Sequence, residues 1–362
     1  MAKAKTEETK VEEPKKDKLS LLREICEKKY GKGVIVAGNT KHNVKSVPTG
    51  SYKFDKATDC GGIPIGKIVE IFGPESSGKS TIALHIIAEF QKASTRKCLL
   101  ADFEYSFDKD YARKIGVKVD ELLIAQPDTM EDGYNLIYDY IKSGEIGLVV
   151  IDSHTSMVPK SRLEGEIGDA KMAPEARINS DGLKKLKSEL EKSQCTLFGI
   201  SQLRANISKM GSGGNVPTGG NAWKFYPDMR IKIYKELDRE NERNDTTIEV
   251  VKNKCGKPYG KCEVPIAWGI GFDKMKEVLD IAVEMKIIKK AGAWYSYGEF
   301  KVQGLDALKG LMAENEILYN QIKNEAILEY ETAEMVTIEP KEGEDADSIP
   351  ASAIDGQNVE VI

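Results

Sequence analysis

The sequence predicts an α/β fold, a mainly parallel, twisted sheet flanked by helices. Three observations carry that prediction. From about residue 60 onward, short apolar runs alternate with helical stretches, the pattern of neighbouring strands joined by crossover helices. One of those runs leads directly into "GPESSGKST", Gly73 to Thr81, a strand–loop–helix arrangement with the spacing of a phosphate-binding loop. The polar candidates for chemistry then fall at the carboxyl ends of the apolar runs, where such sheets bind ligands.

Taken in order, residues 1–17 mix both charges and lack an apolar stretch, so they read as a solvated, flexible arm rather than a secretory signal. Residues 18–40 hold an apolar stripe (Leu19, Leu22, Ile25, Cys26) closed by Gly31, then a short strand, "VIVAG". A lone helix and strand cannot form a core, so this element must dock on the body or on a neighbouring subunit. Residues 41–274 are the core. Its predicted strands are 68–72, 98–102, 148–152, 196–201, 229–234 and 248–252. Two segments read as long loops, 163–177 and the glycine-rich 204–222, and loops of that length in a compact domain are usually functional or disordered. Residues 275–330 read as a small α-rich domain, and 331–362 as a disordered acidic tail.

Composition narrows the class. Of the 362 residues 40% are hydrophobic, enough for a sizeable core. No run approaches eighteen apolar residues, which excludes a membrane helix. The six cysteines lack zinc-site spacing and fit reduced thiols in a cytoplasmic protein, and the three histidines form no metal cluster. The net charge of −5 is uneven. The tail holds nine acids and one base, so it carries −8 and the rest of the chain +3. Such a tail either solvates a terminus or competes for a polyanion site.

The candidate chemistry starts at the glycine-rich loop. Gly73 and Gly78 let backbone N–H groups turn toward phosphate oxygens, Lys79 brings charge to them, and the Ser80 hydroxyl can ligate Mg²⁺. Asp152 ends an apolar strand, where a metal-supporting acid belongs. Glu104, or its competitor Asp102, stands at another strand end and can align or deprotonate water. Gln202 closes a fourth strand with an amide that can sense a γ-phosphate. The stretch after it, Leu203 to Pro227, has three bases (Arg204, Lys209, Lys224) and no acid. That reads as a polyanion site under nucleotide control. Lys252 and Lys254 close a later strand, spaced by two and so on one side of it, as cations for an anion that the next subunit could supply.

Seven stretches in order, "GPESSGKST", "DYARKIGV", "QPDT", "EGEIGD", "TGGNAWKFY", "VVKNK" and "KAGAWYSY", resemble the RecA family of bacterial-type homologous recombinases over about residues 19 to 330. The resemblance implies a core of RecA type that binds ATP through Gly73, Pro74, Glu75, Ser76, Ser77, Gly78, Lys79, Ser80 and Thr81. It implies Mg²⁺ near Ser80 and Asp152, and adenine contacts at Asp108 and Tyr111. It selects Glu104 over Asp102 as the catalytic acid. It makes Gln202 the link from γ-phosphate to the second DNA-binding loop, and sends Lys252 and Lys254 to a neighbour's ATP. Met172 and Arg177 fall in the first DNA-binding loop. Arg204, Lys209, Gly219, Gly220 and Asn221 fall in the second. The element at 18–40 would pack on the adjacent subunit, its strand extending that subunit's sheet.

This chain also departs from the family. Gly211 stands where bacterial members carry an aromatic. A tyrosine near the nucleotide is missing, with Met275 close to its place, and His154 is an unusual, packed residue. Such departures fit a divergent member, a virus-encoded one included. The implied function is a DNA-dependent ATPase that forms filaments on single-stranded DNA and pairs it with homologous duplex DNA, in repair and recombination. Mediator proteins and a self-cleaving repressor are further partners that the resemblance leaves open. The alternative on the same core is a hexameric helicase or a signalling ATPase.

Overall fold

The structure is a computed structural model, and it describes residues 18–31, 35, 44–165, 174–204, 216–217, 221–238, 243–337 and 347. Two compact units divide at Asn43. In the first, helix α1 (Lys18–Tyr30) buries none of its side chains, and Leu19, Leu22 and Ile25 stand exposed. Arg23 bonds Glu27 and the Ile35 carbonyl, at 3.2 and 3.1 Å. The predicted strand at 34–36 lies outside the described residues but for Ile35.

The second unit opens with a two-strand ladder, β1 (Ser46–Val47) and β2 (Ile63–Pro64), around α2 (Tyr52–Ala57). The core then alternates β3 (Ile68–Gly73), α3 (Lys79–Ala93), β4 (Lys97–Asp102), α4 (Lys109–Ile115), β5 (Leu122–Ala125), α5 (Met130–Lys142) and β6 (Ile146–Asp152). Helices α6 (Lys160–Leu163) and α7 (Pro174–Ser193) lead to β7 (Thr196–Arg204), β8 (Val216–Pro217) and α8 (Ala222–Phe225). An antiparallel run follows, β9 (Met229–Asp238), β10 (Arg243–Asn253), β11 (Lys261–Ala267) and β12 (Gly271–Phe272).

Along the sheet the order is β12-β11-β10-β9-β3-β7-β6-β4-β5. The stretch from β9 through β3 to β5 is parallel and β9 to β12 antiparallel. Both faces of the central strands are covered, so β3, β4, β6 and β7 are mostly apolar, with Glu70 on β3 and Ser201 on β7 as buried polar exceptions. Alternate residues go to opposite sides: Val69, Ile71, Leu148, Val150 and Ile200 pack with α3, whereas Ile68, Val149, Ile151 and Leu197 pack with α5 and α7. Thr129 caps α5 by accepting from the Asp132 amide at 3.1 Å, which fixes where that helix starts.

Several expectations need correction. The first loop is shorter than 163–177, because α7 starts at Pro174, a residue suited to a helix's first turn, and takes Arg177 with it. The second is interrupted: Val216 and Pro217 pair with Arg204 and Leu203 as β8, and Ala222 begins α8. Proline is acceptable there because β8 pairs on one side only. The C-terminal domain is α-rich and also holds a small sheet that the sequence does not announce. Between α9 (Lys274–Glu284) and the pair α10 (Leu305–Glu314) and α11 (Glu316–Thr332) lies an antiparallel sheet, β13 (Lys289–Ala291), β14 (Trp294–Tyr297) and β15 (Phe300–Gln303). Its own core includes Leu279, Ile281, Leu308, Met312, Leu318 and Ile322.

The acidic tail also starts later than 331. Helix α11 runs to Thr332, and Val336 accepts the Lys261 amide at 3.0 Å beside a bridge from Thr337 to Gly260. Further on, Asp347 is buried, and the remainder of the tail lies outside the described residues. Among the described residues no helix is long and apolar enough to cross a membrane.

Candidate nucleotide-binding active site

The carboxyl ends of β3, β4, β6 and β7 border one cleft of about 390 Å³, lined by Glu75, Ser76, Gly78, Lys79, Ser80, Thr81, Glu104, Tyr111, Asp152 and Gln202. Two glycines make the loop possible. A Cβ on Gly73 would lie 2.1 Å from the Ile233 carbonyl oxygen, so β9 can approach only a glycine there. Gly78, at φ 95°, takes the left-handed conformation in which glycine is favoured. Helix α3 then begins at Lys79 and points its N-terminal amides at the cleft.

Burial dominates the electrostatics. It lowers the Lys79 ammonium to about 8, against the pull of Asp152 and Glu104. Its Nζ donates to the Gly73 carbonyl at 3.1 Å and to that of Pro74. Burial likewise raises Asp152 to about 6, opposed by a hydrogen bond from Ser80. A half-buried carboxylate that accepts from the Ser80 hydroxyl fits a divalent cation, which would offset the cost of burying that charge. Among the described residues no cluster of three or more His, Cys, Asp or Glu could hold a metal alone.

Glu104 is fixed from three sides. Its Oε1 accepts from Ser153 Oγ at 2.5 Å, Ser156 Oγ at 3.0 Å and Gln202 Nε2 at 2.7 Å. Asp102, the competitor, is spent on backbone. Buried, it accepts the amides of Glu104, Ser106 and Phe107 and the Gln126 side chain at 3.2–3.3 Å. It shapes the loop that presents Glu104.

Tyr111 reaches the cleft and shares a 3.0 Å hydrogen bond with Thr81. Asp108 caps α4, accepting from Asp110 and Tyr111 amides at 2.9 and 3.0 Å. These bonds hold its carboxyl below the usual range. It lines a smaller cavity behind the cleft with Ser80, Asp102 and Tyr111.

Trp268, which the sequence reading passed over, lines the cleft with Ile266, Ala267 and Gly269 and is half exposed. Met275, expected near the nucleotide, packs instead against the C-terminal core. The β11–β12 turn forms the wall, so an aromatic at that turn was the signal to seek.

Lys252 and Lys254 stand apart from this cleft, beside α8. Lys252 Nζ donates to the carbonyls of Lys224 and Phe225, at 3.1 and 2.9 Å. Burial, with Lys254 and Arg230 nearby, lowers it to about 8. Strand spacing does not place Lys252 and Lys254 on one side of β10. The β9–β10 register shifts between Val250 and Lys252, and Lys254 lies past the strand's end. Both lysines nevertheless face Asp228, Lys254 at 3.7 Å. Asp347, from the acidic tail, lies 2.7 Å from Arg230 NH1 and 2.9 Å from Lys224.

Of the candidate DNA contacts, Arg177 is exposed on α7 near Asp181, at 3.8 Å, and Asn221 is exposed ahead of α8. Arg204 ends β7, its side chain not described. Met172, Lys209, Gly211, Gly219 and Gly220 lie outside the described residues.

Residues 18–273 match the family model of the RecA N-terminal domain and 276–330 that of the RecA C-terminal domain. The chain is 42% identical to Protein RecA of Chloroherpeton thalassium over 328 residues, 89% of this chain and 92% of that one. It is 41% identical to Protein RecA of Porphyromonas gingivalis over 318 residues, 86% and 93% of the two chains. The Rickettsia bellii protein of that name is 41% identical over 304 residues, 82% and 88%. With both family domains in order over most of its length, the chain belongs to the RecA family of homologous recombinases.

Proposed function

We propose that this chain hydrolyses ATP with Mg²⁺ while polymerised on single-stranded DNA, and exchanges that strand with a homologous duplex. The observation that carries this reading is the 2.7 Å hydrogen bond from Gln202 to Glu104. It joins the group that would handle water to the strand that leads into the acid-free, basic loop. Lys79 would meet the phosphates, and Ser80 with Asp152 would hold the cation, whose charge screens them. Glu104, with three donors on Oε1, would offer Oε2 to the attacking water. Trp268 and Tyr111 would flank the base, an aromatic face being a platform for stacking.

Filament formation is supported by α1, whose apolar stripe is exposed within its own unit, and by the cations Lys252 and Lys254, which stand outside this chain's own cleft. We assign 1–17 to an arm, 18–40 to subunit docking, 41–274 to the ATPase and DNA-binding core, and 275–330 to the C-terminal domain. Met172, Arg177, Arg204, Lys209 and Gly219 to Asn221 are the proposed DNA contacts. Asp347 between Arg230 and Lys224 supports the reading of the tail as a competitor for anion sites. A cytoplasmic location, with mediator proteins and a repressor as further partners, belongs to the same reading. The helicase alternative has no counterpart to α1 in its favour.

Strand exchange is the test. A circular single strand with a homologous linear duplex should give nicked circular product in the presence of ATP and Mg²⁺, and a heterologous duplex should give none. ATP-driven unwinding of duplex without any pairing would select the helicase instead.

A further inference from the structure

Behind Glu104 and Gln202 the sheet carries polar groups that the cleft does not use. Gln202 faces the cleft, so Ser201, one residue earlier on β7, faces the opposite side. The same step occurs at the end of β6, where Ser153 bonds Glu104 and His154 turns to Ser201. His154, Ser201 and Glu70 are all buried. His154 Nε2 bonds Ser201 Oγ, Ser201 donates to Glu70 Oε1 at 2.6 Å, and Arg230 Nε donates to Glu70 Oε2 at 2.5 Å.

Donor counting assigns the protons. The one hydroxyl proton of Ser201 goes to Glu70, so Nε2–H must donate to Ser201; Nδ1 is buried with no acceptor for a proton, which leaves the imidazole neutral with Nδ1 bare. Burial holds the imidazole below its ordinary pKa against the pull of Glu70.

The other face of the same ring is stacked on Trp223, with centroids 4.1 Å apart and planes 1° from parallel. Trp223 is itself buried, and a Cβ on Gly199 would come within 2.2 Å of its ring. It belongs to α8, by which the basic loop returns to the sheet. The carbonyls of the next two residues hold Lys252. One imidazole thus touches the strand end that carries Gln202 and the helix that anchors Lys252.

We propose that His154 is a positioning residue that passes the state of the Gln202–Glu104 pair to α8. It does so through the Ser201 hydrogen bond on its edge and the Trp223 stack on its face. The proposal rests on the reading of the cleft as a nucleotide site.

Amide hydrogen exchange on the full chain, with and without a slowly hydrolysed ATP analogue and Mg²⁺, tests it. In the wild type the analogue should slow exchange both in the Gly73–Thr81 peptide and, about fivefold or more, in the peptide holding Ala222–Phe225. His154→Phe keeps the stack and loses the donor. It should keep the first response and lose the second, and His154→Gln, which restores a donor, should recover it. Ser201→Ala breaks the same bridge without touching the histidine and carries the same expectation if His154→Phe folds poorly. The double variant should lose no more than either single one. A merely structural histidine would lower protection with and without the analogue alike. Full slowing at α8 in both His154→Phe and Ser201→Ala, or none there in a wild type whose phosphate loop responds, overturns the proposal. A wild type unresponsive at Gly73–Thr81 removes the nucleotide reading itself and the proposal with it.

Discussion

On the α3 side of the sheet, Lys79, Glu104, Asp152 and Gln202 line an open cleft. On the opposite side Glu70, Ser201, His154 and Arg230 are shut in. The two sets come closest at the ends of β6 and β7, where His154 is two residues from Asp152 and Ser201 is one from Gln202. The cleft set keeps groups available for a ligand at the cost of perturbed ionisation, with Lys79 lowered to about 8 and Asp152 raised to about 6. The buried set is bonded largely within itself, with Asp347 as a further partner of Arg230, while His154 Nδ1 and Arg230 NH2 have no hydrogen-bond partner. Burial alone would raise Glu70, yet His154 close by at 3.7 Å, the Arg230 guanidinium and the Ser201 hydroxyl hold its carboxyl below the usual range. Substitutions on the cleft side should therefore cost activity, and those on the buried side should cost stability.

The largest expected effect is on the cleft side. Glu104→Gln should lower kcat for ATP about 100-fold or more while ATP binding persists. Equal loss of binding would mean that Glu104 is structural. Next comes the buried side. Glu70→Gln leaves the Arg230 charge with Asp347 as its remaining carboxylate, so unfolding should become easier by about 3 kcal/mol, read from chemical denaturation. A variant as stable as the wild type but inactive would reverse the comparison.

A smaller effect concerns acid. His85 packs under the cleft, stacked on Phe272 at 4.0 Å and accepting that residue's amide at 2.9 Å. Burial lowers it from 6.5 to about 3. The unfolded chain therefore binds a proton that the folded chain refuses, and stability is complete above about 6.5 and falls as pH drops below it. Between about pH 6.5 and pH 5 the loss should be about 2 kcal/mol, and His85→Gln should flatten that slope. The buried imidazole of His154 adds to the loss with the same sign. An unchanged slope in His85→Gln would place the acid sensitivity elsewhere. The smallest effect sharpens the cleft's outer wall. Trp268→Ala should raise KM for ATP about tenfold with kcat little changed.

The same contrast explains what was legible in the sequence. The cleft could be read because its residues lie at strand ends and in a loop whose spacing is itself a signal. Strands β3, β4, β6 and β7 are continuous apolar runs, and Lys79, Asp152, Glu104 and Gln202 each close or follow one. The buried set could not be read. Glu70 looks like a single acid lost in "IVEIF", and its partner Arg230 is 160 residues away. Nothing local pairs them. Trp268 could not be read because the wall of the cleft is made by the turn between β11 and β12, which no motif or period marks. The C-terminal sheet was missed because its strands are three or four residues long, too short to establish a period. Edge strand β5 escaped for a similar reason, with only four residues, two of them exposed.

The central claim is that ATP chemistry in the cleft answers to DNA through Gln202 and the loop beyond it. Steady-state ATP hydrolysis with and without single-stranded DNA tests it most directly, with Lys79→Ala as control. The account predicts strong stimulation by DNA in the wild type and none in the control. Wild-type hydrolysis at the same rate with and without DNA, at low as well as moderate salt, would contradict it.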